Sequence, residues 1–363
     1  MGPTKTENAI REDLVRRFTK LVESFGLGAS VKPVGSYVTG LYVPTSDIDM
    51  VIISRPRSNQ ITGSYYGLQP RPGLSTLLVH IRASGFASST DAVLNAAVPV
   101  LHITDKITGL VIDLNDCEQH GTRATEAVQK WTKDDFDLIR GLVIILKTFL
   151  AIRRCGTTYT GGINSYVLVW MVVGWLNGTS NQVAYPRAST RRNPYLGDLL
   201  SSFDGLSISV DNNGASADTT NTVRQSDTSH PLEVRKYKSI GEALKGFLKF
   251  YGEDFDYTSK SIKFQESLSG QAPTKTVHIR SKYSAFGSQP FLLSLYDPVR
   301  QEDIGSKIYA IKHIQKTFRD GYQNLSRSDR APSNSHGSVL NQFLQGDFTS
   351  FVKERKDVRR KVS

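Results

Sequence analysis

Asp47 and Asp49 stand one residue apart at the head of the apolar run MVII, and a Gly-Ser pair, Gly35-Ser36, precedes them. In an extended strand alternate side chains share a face, so both carboxylates project together while Ile48 turns inward. Two carboxylates at that spacing repel unless one is protonated or a cation bridges them. An oxygen-only pair suits Mg²⁺, which takes one or two carboxylates and fills its shell with water and substrate phosphates. A bare D-x-D is ordinary at the end of a strand. Here it closes an ordered string, Gly35-Ser36, Thr39-Gly40 and Ser46-Asp47-Ile48-Asp49. The glycine lets backbone N–H groups approach a phosphate and the serine hydroxyl adds a donor. The chemistry indicated is metal-assisted transfer at a triphosphate.

Transfer by two metals calls for a third carboxylate. In LVIDLND, Val111, Asp113 and Asn115 share one face of an expected strand that can pair beside the first, and Asp113 is the preferred ligand. Asp105, in the turn DKITG, and Asp116, at the strand's end, are its competitors.

Several elements must position these groups. Residues 7–25 place Ile10, Leu14, Phe18 and Leu21 at helical spacing ahead of Gly26 and Gly28. DMVIIS reads as a buried strand, 74–85 as a helix, and 98–116 as two strands joined by DKITG. After Gly121 the text turns helical. The stretch 132–154 opens on a Thr cap with acids in its first turn, and NSYVLVWMVVGWLN (164–177) is apolar all round, as a central helix requires. Residues 211–230 hold almost no large apolar side chain and belong to an expected flexible insertion at about 205–235. Helices are expected again at 238–252 and 303–325, the second with Ile308, Ile311, Ile314, Gln315 and Phe318 on or near one face. The tail FVKERKDVRRKVS reads as a charged helix end or a disordered arm. The expected fold is α+β. It has a palm of small mixed β-sheet with flanking helices over 26–120, and a mainly helical central domain built from 1–25 and 121–363.

At 363 residues the chain suits two domains. Lys+Arg outnumber Asp+Glu by 45 to 34, a formal charge of +11, the footprint of a protein that handles a polyanion. Cys117 and Cys155 are the only cysteines, too few for a disulfide framework or a cysteine-rich zinc site. A reducing compartment is expected, and any metal must be held by oxygen. The opening residues lack the apolar stretch of a secretory signal, and the longest apolar run, YVLVWMVVGWL, falls well short of a bilayer span. No membrane association is expected.

Taken in order, these motifs resemble the noncanonical poly(A) polymerases and terminal uridylyltransferases, nucleotidyltransferases of the DNA polymerase β superfamily. The likeness is closest to the nuclear RNA-surveillance poly(A) polymerases. Gly35-Ser36, Thr39 to Tyr42 and Pro44 to Asp49 follow that pattern, as do Tyr159 to Gly162 with Ser165-Tyr166, FLKFYGEDFDY (247–257) and YDPVRQEDIG (296–305). The resemblance implies that Asp47, Asp49 and Asp113 bind Mg²⁺, with Mn²⁺ as the alternative. It implies that Asp113 helps to activate an RNA 3′-hydroxyl, and that Gly35 and Ser36 hold a terminal phosphate of ATP. Lys147 would meet the triphosphate, its charge offsetting that of the leaving pyrophosphate. Ser165 would touch phosphate, Tyr166 would stack under the base, and Asp297 and Glu302 would belong to the nucleotide-recognition loop.

There are departures from the family pattern. His120 stands in QHG where asparagine usually precedes the glycine, so a ribose contact falls to His120 or is lost. DPVRQEDIG is one residue short, and Gly305-Ser306 stands where an arginine is common. Uridylyltransferases often carry a histidine in that loop; Arg300, Gln301, Glu302 and Asp303 here favour ATP over UTP. The sequence shows no RNP-like motif, zinc finger or helix-turn-helix. RNA is therefore expected to be held through its phosphates, with Arg187, Arg191, Arg192, Lys353, Arg355, Arg359, Arg360 and Lys361 as candidates. By analogy, a zinc-knuckle RNA-binding protein and a helicase are expected partners. The expected activity is template-independent adenylation of RNA 3′ ends in RNA processing or surveillance, the alternatives being uridylation and a catalytically silent scaffold. The basic tail suits a nuclear address, with the cytoplasm or mitochondrion as alternatives.

Overall fold

The computed structural model describes residues 2–54, 72–96, 98–178, 237, 239–267, 274–282, 290–328, 343–344 and 349–362. All of them belong to one compact unit, Met1–Ser180 with Tyr237–Ser363. The second unit, Asn181–Lys236, lies outside the described residues, and with it the expected insertion and Arg187, Arg191 and Arg192.

The chain opens with helix α1 (Lys5–Ser24), whose start is set by a capping box: Thr4 Oγ1 accepts from Glu7 N–H, and the Glu7 carboxylate accepts from Thr4 N–H. Strands β1 (Ala29–Pro33), β2 (Ile48–Ser54), β3 (Ala87–Val93), β4 (Val100–Asp105) and β5 (Val111–Asn115) form a sheet in the order β1-β2-β5-β4-β3. Only the β2–β5 pairing is parallel, so the sheet is mixed, as expected. Period-2 alternation sends Ile48, Met50, Ile52, Leu101, Ile103, Ile112 and Leu114 to one face. There they pack with Leu74, Leu77 and Ile81 of α3 (Leu74–Ala83) and with Ile10, Leu14, Phe18 and Val22 of α1. Residues 1–25, grouped from sequence with the helical domain, therefore share the core of the sheet. The short helix α2 (Gly35–Thr39) follows β1, and β3, at the sheet's edge, was not anticipated.

A second core is built by α4 (Glu118–Thr132), α5 (Phe136–Ile152), α6 (Ser165–Gly178), α7 (Ile240–Lys249), the hairpin β6 (Lys260–Ser267) and β7 (Thr274–Ser281), and α8 (Ile311–Ser328). Every residue of α6 from Val167 to Leu176 is buried, which is what an all-apolar helix requires. Among the described residues no helix is long and apolar enough to cross a membrane.

Several expected boundaries move. Helix α4 starts at Glu118, and Thr132 is its buried last residue, its hydroxyl donating to Val128 O at 2.8 Å rather than capping α5. Helix α8 starts at Ile311; Ile308 is buried from the preceding loop. The hairpin was missed, although KSIKFQES alternates. The tail forms α9 (Thr349–Val362), and Arg355 pairs with the buried Glu7 carboxylate through Nε (2.5 Å) and Nη2 (2.9 Å). That pairing makes Arg355 a clasp between α9 and α1 rather than an open RNA contact.

Candidate active site

The parallel register of β2 and β5 sets Asp49 opposite Asp113, and Asp47 ends the loop that feeds β2. Ile48 is fully buried between the two aspartates, so Asp47 and Asp49 turn the other way, as alternation demands. Burial, and after it the charges of Asp113 and Asp47, push the Asp49 carboxyl up to about 6.

Gly35 lies against Asp49. Its φ is +67°, and a Cβ there would sit 2.6 Å from Asp49 Oδ2, so glycine is required both by the backbone and by the carboxylate. Gly35 N–H donates to Thr125 Oγ1 at 2.8 Å, and Val34 N–H donates to Asp49 O at 2.9 Å. These bonds tie the phosphate-loop candidate to both α4 and β2.

Between α2 and β2 the chain crosses residues 40–46 without regular structure, and its carbonyls are held by three cations. Arg140 Nε donates to Gly40 O at 3.1 Å, Lys147 Nζ to Leu41 O at 3.1 Å, and Arg11 Nη2 to both Pro44 O and Ser46 O at 2.7 Å. Arg11 is only 1% exposed. Burial pulls the Lys147 ammonium down to about 8 against the opposing attraction of Asp49. Sequence reasoning had no reason to select Arg11, since an arginine in an amphipathic helix reads as a solvated position.

A cavity of about 440 Å³ is lined by Gly35, Ser36, Asp47, Asp49, Asp113, His120, Lys147, Ser165 and Tyr166, nine of the eleven residues assigned from sequence to metal and nucleotide. Asp297 and Glu302 are not on its wall. Asp297 is instead the joint behind it: buried, it accepts from Tyr166 Oη at 3.1 Å and from Val299 N–H at 2.7 Å. Its backbone closes the loop, Asp297 N–H donating to Glu302 O and Gln301 N–H to Asp297 O, both at 2.8 Å. The same loop reaches His120 electrostatically. Burial and then Arg300 lower the imidazole's pKa, with Asp297 and Glu302 opposing.

Asp105 is excluded as the third ligand: fully buried, it takes a two-pronged bond from Arg17 (3.0 and 2.9 Å) and caps the turn at Thr108. Asp116 is exposed and off the cavity wall. Asn115, Thr125 and Asn164 also line the cavity and were not selected from sequence. Asn115 was legible in principle, two residues along the face of Asp113. Asn164 precedes Ser165 and accepts from Val167 N–H at 2.8 Å, an N-cap signature.

Among the described residues no three histidine, cysteine or acidic side chains close into a metal cage by themselves. The three aspartates do fit a hard cation that draws the rest of its shell from water and phosphate. Their donors are all oxygen, and the charges of Asp113 and Asp47, which add to burial in lifting Asp49, would be offset by a bound cation.

Residues 1–133 match the family model described as "Poly(A) RNA polymerase, mitochondrial-like, central palm domain". The chain is 26% identical over 325 residues to poly(A) RNA polymerase cid14 of Schizosaccharomyces pombe, covering 89% of this chain and 38% of that protein. It is 23% identical over 329 residues to poly(A) RNA polymerase protein 2 of Saccharomyces cerevisiae, covering 90% and 46%. It thus spans less than half the length of these relatives. Among solved structures, the polymerase core of TRAMP, an RNA surveillance complex, has the same fold, with a TM-score of 0.59 over 95% of this chain and 90% of that one at 20% identity.

Proposed function

We propose that this chain, similar over most of its length to poly(A) RNA polymerases, is a noncanonical poly(A) polymerase that adds adenylates from ATP to RNA 3′ ends without a template. The observation that carries the reading is the β2–β5 register, which brings Asp49 and Asp113 side by side, with Asp47, into one cavity with Ser36, Lys147, Ser165 and Tyr166.

Asp47, Asp49 and Asp113 would hold Mg²⁺ or Mn²⁺, which when bound screens the triphosphate and eases ionisation of the attacking hydroxyl. Ser36 would present its hydroxyl to the outer phosphates, while Gly35, its N–H engaged by Thr125, leaves room beside Asp49. Lys147, whose ammonium is attracted by Asp49 and Asp47, would offset charge on the departing pyrophosphate. Tyr166, held from behind by Asp297, offers a ring for the base. The loop from Asp297 to Glu302 contains no histidine, which favours adenine over uracil. The likeness to the polymerase core of an RNA surveillance complex supports a protein partner that supplies RNA contacts, a zinc-knuckle protein alongside a helicase.

The test offers the purified protein each of the four nucleoside triphosphates with Mg²⁺ and a labelled oligoribonucleotide. A ladder with ATP is expected, and Asp47→Ala and Asp49→Ala should abolish it without unfolding the protein. Extension by either variant at the parent rate would sink the proposal. A ladder with UTP alone would reassign the base.

A further inference from the structure

We propose that His102, on β4, is a positioning residue for Asp113, fixing the plane of that carboxylate through a hydrogen bond across the sheet. The inference rests on the reading of the cavity as a nucleotidyltransferase site.

His102 Nδ1 lies 2.7 Å from Asp113 Oδ1. A carboxylate only accepts, so the ring nitrogen carries the hydrogen and donates it. The contact follows from register. His102 pairs with Asp113 across β4 and β5, Asp113 pairs with Asp49 across β5 and β2, and Asp91 pairs with His102 across β3 and β4. One row therefore crosses four strands as Asp91, His102, Asp113, Asp49. Leu101 and Ile103 on either side of His102 are fully buried, so its ring must turn to the face that carries the aspartates.

His102 is not on the cavity wall, whereas Asp113 is. The two side chains are 39% and 21% exposed, so the bond sits at the rim, half open to solvent. An aspartate with a free terminal torsion presents either oxygen to the cavity. With Oδ1 held by imidazole, the plane is set and Oδ2 is left for the reaction. Directly opposite side chains in a sheet are close enough for such a bond without moving the backbone. Partners of this kind, which bond a ligating group without touching the metal, orient it and tune it.

The test compares His102→Phe, which keeps a ring and loses the donor, with His102→Gln, which keeps an N–H within reach. Removal of the bond should lower kcat by ~10–100-fold, the usual loss when such a partner is removed. KM for ATP should stay within about twofold, because the ground-state contacts to the nucleotide are untouched. His102→Gln should recover most of the loss. A second readout needs no turnover: the rise in melting temperature that Mn²⁺ alone gives the parent should require more Mn²⁺ in His102→Phe and not in His102→Gln. Parent-like kcat and parent-like Mn²⁺ response in His102→Phe would overturn the proposal, as would a loss that glutamine does not restore. A parent protein that extends no RNA with any nucleotide would instead overturn the assignment of the site itself.

Discussion

At the scale of single residues, the candidate site is organised by like charges on adjoining strands and by a glycine that leaves Asp49 room. Gly35 combines a left-handed backbone with a carboxylate oxygen 2.6 Å from where its Cβ would be. Gly35→Ala should therefore lose about 1–2 kcal/mol from the backbone alone. It should lose extension as well, because Asp49 must be displaced. Urea unfolding and primer extension on the same preparation separate the two effects. Tyr166 is tied to Asp297 by a single hydrogen bond. Tyr166→Phe keeps the ring, so stability should change by only about 1 kcal/mol. The KM for ATP should rise several-fold if the ring's orientation matters for the base, and a KM equal to the parent's would count against a stacking role.

Among elements, the feature that departs most from expectation is the placement of the two terminal helices. Helix α1 covers the sheet, Arg11 reaches from it to the carbonyls that lead into Asp47, and α9 is clasped to it by Arg355 on Glu7. Burial raises the Glu7 carboxyl, but the Arg355 guanidinium and the bonds from Thr4 outweigh it and hold the group near 2, against an ordinary 4.5. A depressed carboxylate stabilises the fold fully above its unfolded pKa and loses that contribution as pH falls through its folded one. The clasp should therefore be whole above pH 4.5 and drain away toward pH 2, a loss of at most about 3 kcal/mol. Glu7→Gln should be less stable than the parent at neutral pH, and the gap should close on acidification. Urea midpoints measured against pH for both proteins would show a constant gap if the pair contributes nothing.

For the molecule as a whole, a formal charge of +11 sits on a protein whose candidate cavity is lined by three aspartates. Under the proposed function, the excess positive charge would act outside the cavity, on the RNA that brings its 3′ end to it. RNA affinity should fall steeply with salt, the logarithmic slope approaching −0.7 for each phosphate contacted. Affinity should vary little between oligonucleotide sequences of one length. Fluorescence anisotropy across a salt series measures this directly, and a flat response would show that the charge is only solvated surface.

The placement of the candidate carboxylates was legible because it is local. Alternation about Ile48 puts Asp47 and Asp49 on one face in any strand, and α6 is apolar on every side, so it is central in any compact fold. Asp113 is preferred for its place on the face of an expected strand and Asp105 set aside for its place in the DKITG turn; in the structure Asp105 is taken up by Arg17. Tertiary structure alone decided which segments meet. Periodicity tells a helix or strand that one face will be buried but not against what, so α1 was assigned to the wrong core and Arg11 looked solvated. Register is likewise a property of two strands together. Neither VPVLHIT nor LVIDLND says by itself that His102 will lie across from Asp113, or that Asp113 will lie beside Asp49, and it is long-range pairing that brings these separate side chains into one row.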